Sequence, residues 1–191
     1  MINNRIAKKF AASTDWFYEA KYGLFFHYLK DNKNIGSFNV ERFADGVAEM
    51  GAGYIIFTLG QNSGYYCAPN DVYKFYIDAK AGDYTSARDL PMEIAGALSE
   101  RNIRMMLYLP SNAPGGTEIV KECFGLSMMD PDKNWHATPE LMLRWGVISF
   151  WAKCYGKKVS GWWFDGWYNW NGFTDLYAEN YTNTIAQSKK A

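Results

Sequence analysis

Residues Gly161 to Trp170 read GWWFDGWYNW and set one carboxylate, Asp165, among four tryptophans, a phenylalanine and a tyrosine. The three residues before Asp165 are bulky and apolar, as in a strand expected to be buried. An unpaired carboxylate at the end of such a strand costs on the order of several kcal/mol. An acid kept there has a job or a partner, unless Asp165-Gly166 is only a strand-ending turn. In parallel α/β folds chemistry collects at the carboxyl ends of strands. Those ends carry His27, then Thr58 with Gln61 and Asn62 just beyond it, then Tyr108, then Asp165. One imidazole, two amides, one phenol and one carboxylate would share a rim, with Trp163 and Trp167 beside the acid. Each also has a plainer reading: His27 as a satisfied core histidine, Tyr108 as packing, Gln61 and Asn62 as turn residues before Ser63-Gly64.

Several chemistries lack their motifs. Pro110 to Gly116 bears glycines but fits neither phosphate-cradling pattern, and there is no G-x-S-x-G and no H-E-x-x-H. Cys67, Cys123 and Cys154 are far apart, and two histidines are too few for a histidine-rich metal site, so the thiols read as buried or idle. Neither a metal nor a cofactor is called for. Glycoside chemistry is left standing, because it needs carboxylates in an aromatic-lined, sugar-shaped cleft. Aromatics make up 18% of the 191 residues, which suits either a core or such a cleft.

The bulk properties are those of one globular domain. Apolar residues are 48% and charged residues 21%, and the formal net charge is zero. No basic cluster exceeds a Lys-Lys pair, so the electrostatic footprint of a nucleic-acid binder is absent. No apolar run approaches a membrane span. Met1 to Phe10 lacks the apolar centre of a secretory signal, so the chain as written reads as cytoplasmic, or as exported if a leader was trimmed.

The rim residues need strands and helices to position them, and the sequence alternates accordingly. Strands are expected over Tyr22–Leu29, Tyr54–Leu59, Ile103–Leu109 and Val159–Phe164. Between the first two lies a helix from Val40 to Met50, with Asn39 as N-cap, Gly51 as terminator and Val40, Phe43, Val47 and Met50 on one face. A long loop spans Gly60 to Thr85. Ser86-Ala-Arg-Asp89 resembles a capping box and opens a helix carrying Leu90, Ile94 and Leu98. A second long loop spans Ser111 to Ala137, Thr138-Pro139 starts a helix to Tyr155, and a last helical stretch covers Thr174 to Lys189. Four β-α units of this kind imply a parallel sheet with crossover helices. An open doubly wound sheet and a (β/α)8 barrel compete. A barrel typically needs about 250 residues, so here it would be the first half of one, with unpaired edges on its first and last strands.

Four segments then carry a family resemblance. Asp15 to His27 (DWFYEAKYGLFFH) resembles the opening W-F-x-x-A-K-F-G-I-F-I-H of family 29 glycoside hydrolases, the α-L-fucosidases. Phe38 to Thr58, then Arg88-Asp-Leu90 with Ile103 to Tyr108, and Trp163-Phe-Asp-Gly166 resemble further segments of that family in the same order. The resemblance implies a (β/α)8 TIM-barrel-like α/β fold, of which residues 1–191 would be the N-terminal half of the catalytic domain. It implies a retaining glycosidase acting on a carbohydrate, with Asp165 as nucleophile, His27 bonding a sugar hydroxyl, and Tyr108, Trp163 and Trp167 shaping the pocket. The family's K-H-H-D-G run is replaced by Gly60-Gln-Asn-Ser-Gly64, so Gln61 and Asn62 stand where histidines bind the sugar. They still donate and accept hydrogen bonds but do not titrate. The family's general acid/base lies beyond the nucleophile, and no residue here matches it. A non-catalytic carbohydrate-binding domain, or an unrelated open α/β domain with a core of aromatics, stays as an alternative. Exposed sheet edges would favour self-association.

Overall fold

Four short strands, each rich in aromatic and branched residues, pair in parallel in the order of the chain: β1 (Gly23–Phe26), β2 (Tyr54–Thr58), β3 (Arg104–Pro110) and β4 (Gly161–Asp165). They are seen in a computed structural model that describes residues 14–29, 32–81, 84–111, 113–114, 117–124 and 139–166, with isolated positions 179, 182 and 183. The helix expected from Thr174 to Lys189, and Trp167, lie outside the described residues. So does Thr138, the expected N-cap.

The helices are α1 (Asp15–Glu19), α2 (Val40–Glu49), α3 (Asp71–Ala81), α4 (Leu90–Glu100), α5 (Glu118–Cys123) and α6 (Pro139–Tyr155), with 3-10 turns at Asn32–Ser37 and Gly156–Lys158. α2 starts as expected: the Asn39 side chain accepts from the Arg42 N–H at 2.9 Å. Gly51 follows with φ +73°, a conformation that favours glycine. Val47 is buried on its inner face, but Met50 is 57% exposed, so the apolar stripe ends one turn earlier than the periodicity predicts.

Side chains alternate across each strand, so the in-register pairing sorts them into two layers. Leu24, Phe26, Ile55, Phe57, Leu59, Met105, Leu107, Leu109, Trp162 and Phe164 join one core. That core is completed by Ala44 and Val47 of α2, Leu90, Ile94 and Leu98 of α4, and Val147, Ile148, Trp151 and Tyr155 of α6. The opposite layer holds Phe25, Ile56, Met106, Tyr108, Trp163 and Asp165, and no described helix spans it. Its amino end is met by α1, whose Trp16 and Phe17 rings lie 6.0 and 4.8 Å from Tyr54, with the Arg104 guanidinium 5.1 Å from the Trp16 ring. A doubly wound sheet carries helices on both faces. Here they cover one face, the arrangement of a segment of barrel wall. The fold is α/β and partly TIM-barrel-like, with β1 and β4 as edges among the described residues.

Three expectations are corrected. The first long loop contains α3, which Asn70 caps by accepting from the Tyr73 N–H at 2.8 Å. The second contains α5, capped by Thr117. Ser86 does not cap α4. Asp89 does, accepting from the Met92 N–H at 3.0 Å, while Ser86 accepts from the Arg88 N–H two residues on.

Candidate active site

The carboxyl ends of the strands converge on the open layer. Asp165 closes β4 and is exposed rather than buried: among the described residues β4 is an edge strand, and helices cover its other side. The expected cost of burying an unpaired acid therefore does not arise, and the carboxylate is paired. Tyr108 Oη donates to Oδ2 at 2.8 Å, and the Gly166 N–H donates to Oδ1 at 2.7 Å. Tyr108 lies two residue pairs away in the register and so on the same face, opposite Trp163, while Asp165 pairs with Pro110. The glycine after the acid has a local reason: Gly166 sits at φ +79°, where an L side chain is strained, and that turn brings its N–H back onto the carboxylate. The main chain is fixed too, since Ser111 N–H donates to Asp165 O at 2.7 Å.

Aromatic rings extend from the acid toward β1. Phe25 lies 5.4 Å from Tyr108 and 6.1 Å from Trp163, and it stacks on His27 at 4.4 Å with a 20° interplanar angle. Trp163 is 45% exposed and Phe25 41%, so both present ring area to solvent. Trp162 and Phe164 stack on each other and pack into the helix-covered core. The tryptophan run is thus divided by strand alternation: Trp162 is core and Trp163 is rim.

His27, one residue past β1, is exposed and not a core histidine. Gln61 reaches it, with Gln61 Nε2 3.1 Å from His27 Nδ1. Gln61 and Asn62 do form a turn, closed by the Gly64 N–H donating to Gln61 O at 3.1 Å, and Asn62 is exposed in it. That turn is pinned from below. Tyr73 Oη donates to Gly64 O at 2.8 Å, and Cys67 N–H donates to Leu59 O at 2.9 Å. Asn70 and Trp151 tie the same loop to α6 by donating to Val147 O and Pro69 O respectively. Gly60 permits the close approach, since a Cβ there would lie 2.2 Å from the Tyr66 ring. Thr58 is buried and serves the backbone: its hydroxyl accepts from the Tyr28 N–H at 2.6 Å and donates to Tyr28 O at 3.1 Å.

The structure thus brings His27, Gln61, Tyr108, Trp163 and Asp165 to one rim, with Asn62 beside them. Phe25 belongs to the same surface and was not singled out in the sequence. Its signal was there, because the residue two before a strand-end histidine shares its face. Among the described residues Asp165 is the one carboxylate at a strand end on this face. No described group of histidines, cysteines and carboxylates has the arrangement of a metal site. Cys67 is buried, and burial pushes its thiol well above the ordinary range, consistent with an idle role. A cleft of about 740 Å³ lined by Gly96, Ser99, Lys157 and Lys158 lies behind the amino end of β3, on the helix side and away from the rim. No described helix is long and apolar enough to cross a membrane.

No protein-family profile and no curated protein sequence matches the chain. Solved structures do. An endo-fucoidan hydrolase of glycoside hydrolase family 107, P5AFcnA, superposes with a TM-score of 0.65 at 13% identity, over 87% of this chain and 47% of its own. The α-L-fucosidase AlfC from Lactobacillus casei, in complex with its α-L-fucose product, gives 0.61 at 15% identity over 91% and 67%. A family 29 α-L-fucosidase from Bacteroides thetaiotaomicron gives 0.57 at 18% identity over 83% and 34%. The chain spans about half the length of the first of these and a third of the last. At such identities the likeness is one of fold, and the chain has a fucosidase-like glycoside hydrolase fold.

Proposed function

We propose that residues 1–191 are the N-terminal half of the catalytic domain of a retaining glycoside hydrolase of the α-L-fucosidase-like kind, with Asp165 as nucleophile. The observation that carries this is the Asp165 carboxylate at the end of β4, on the face that no described helix spans, held by Tyr108 Oη and the Gly166 N–H beside the exposed Trp163 ring. Asp165 would attack the anomeric carbon and form a glycosyl ester as the aglycone leaves. A second carboxylate about 5–5.5 Å away would protonate the leaving oxygen and later activate water. That residue would come from beyond the described strand ends. Trp163, with Trp167, would wall the sugar through its C–H face, while His27, Gln61 and Asn62 would bond its hydroxyls and Tyr108 would orient the nucleophile.

The structural neighbours act on fucoidan or α-L-fucosides by their descriptions. Gln61 and Asn62 in place of the family's histidines lead us to a preferred sugar other than α-L-fucose. In the full-length gene product, Asp165→Gly should remove most turnover of an activated aryl glycoside, and added azide should restore part of it as a glycosyl azide. Wild-type turnover by Asp165→Gly would remove the assignment. A second reading, a carbohydrate-binding domain without catalysis, is favoured by the single described carboxylate at the rim. Sugar binding without turnover in the full-length product would establish it.

A further inference from the structure

We infer that Gln61 is a positioning residue that locks His27 as its Nε2–H tautomer, which turns the exposed edge of the ring into a hydrogen-bond donor for a neutral glycan oxygen. The ligand half of this rests on the glycosidase reading above, and the tautomer half does not. Gln61 presents its amide nitrogen to His27 Nδ1 at 3.1 Å. An amide nitrogen donates and cannot accept, so Nδ1 must be the lone-pair nitrogen, and in the neutral imidazole the proton then sits on Nε2.

Both partners are held. The Phe25 ring stacks on the imidazole at 4.4 Å and 20°, and the Tyr108 ring meets it edge-on at 5.3 Å, which together fix the ring plane. The backbone of Gln61 is fixed by the turn to Gly64, and Gly64 by the buried Tyr73 hydroxyl. A glutamine spent on His27 offers its remaining amide oxygen as an acceptor. The pair therefore presents one donor and one acceptor, both uncharged, to a ligand. That suits a hydroxyl, which both donates and accepts. A histidine at position 61 would instead add an ionisable group. Gln61 itself carries no ionisable group.

The test labels the histidines with 15N and records long-range 1H–15N correlations in mildly alkaline buffer. The sequence holds two histidines, His27 and His136, so His136→Gln assigns the signals. The expected wild-type spectrum shows a pyridine-like Nδ1 and a pyrrole-like Nε2 on His27. Gln61→Leu should give a mixture of both tautomers. Gln61→Glu, whose carboxylate has no proton to give, should move the proton to Nδ1. An Nδ1–H wild type, or the same spectrum in wild type and Gln61→Leu, overturns the inference. On whichever aryl glycoside the full-length product hydrolyses, Gln61→Leu should raise KM about three- to tenfold, the scale of one hydrogen bond, with kcat within about twofold. An unchanged KM overturns the donor role even where the tautomer is confirmed. Absence of any turnover in the wild type counts against the glycosidase reading and leaves the spectroscopic result to decide the tautomer.

Discussion

Asp165 takes its two hydrogen bonds from groups whose positions the sheet sets, so its orientation does not depend on a flexible partner. Tyr108 is 3% exposed, and its ring is fixed by packing, not by the bond to Asp165. Tyr108→Phe removes one donor to a carboxylate that water also reaches, so it should lower stability by only about 1 kcal/mol or less. On the proposed mechanism kcat/KM should fall by about tenfold or more. Equal kcat/KM in Tyr108→Phe and wild type would mean that the phenol is packing alone. Gly166→Ala tests the neighbouring donor. Its φ of +79° penalises any Cβ, by about 1–2 kcal/mol in urea unfolding, and relaxation of the turn should lower activity with it. The Gln61-Asn62 pair gives a third outcome at this scale. Across a panel of aryl glycosides the highest kcat/KM should fall on a substrate other than the α-L-fucoside, and a maximum on the fucoside would contradict the reading.

At the scale of elements, Asp89 joins α4 to α6. Its Oδ1 accepts from the Met92 N–H that starts α4 and from Tyr155 Oη at the end of α6 at 2.9 Å. Burial raises its pKa, against the lowering effect of those two bonds. The folded state then holds the proton more tightly than the unfolded state does. This term consequently reduces stability as pH rises from the ordinary aspartate value of about 3.9 through the raised value, and it is constant above. Asp89→Asn keeps the cap acceptor and should flatten that slope in urea titrations taken across the window. Asp89→Ala should cost about 2 kcal/mol or more, through the lost cap and an orphaned Tyr155 hydroxyl. The capping signal itself was legible in the sequence, but its residue was misplaced: Ser86 and Asp89 both suit an N-cap, and tertiary packing against Tyr155 selects Asp89. The four strands were legible as short apolar runs rich in branched and aromatic residues, and α2 by its helical apolar period. α3 was missed although Asn70 precedes Val72, Tyr73, Tyr76 and Ile77 at helical spacing, since the surrounding glycine, proline and asparagine signals read as loop. In the tryptophan run the alternation that makes Trp162 core and Trp163 rim becomes visible only with the β3–β4 register. The Gln61–His27 contact was hidden for the same reason, because 34 residues separate the pair in sequence.

Among the described residues, helices on one face, an aromatic opposite face and β1 and β4 as edge strands describe a wall of a barrel. A surface with Phe25 and Trp163 exposed, and with β1 and β4 as edges among the described residues, favours association. Residues 1–191 on their own should sediment as more than a monomer at micromolar concentration, and a monodisperse, cooperatively melting monomer would argue for a self-sufficient open-sheet domain. On the proposed function the exposed rim would also give a sugar access to Asp165, so the edges and the site would be two consequences of one architecture. The most direct measurement traps the covalent intermediate. A 2-deoxy-2-fluoro glycosyl fluoride, matched to the best aryl glycoside, is incubated with the full-length product, which is then digested and analysed by peptide mass spectrometry. The expected outcome is a single glycosyl adduct on Asp165, in the peptide containing Trp163-Phe-Asp-Gly166. Inactivation with the adduct on any other carboxylate would contradict it.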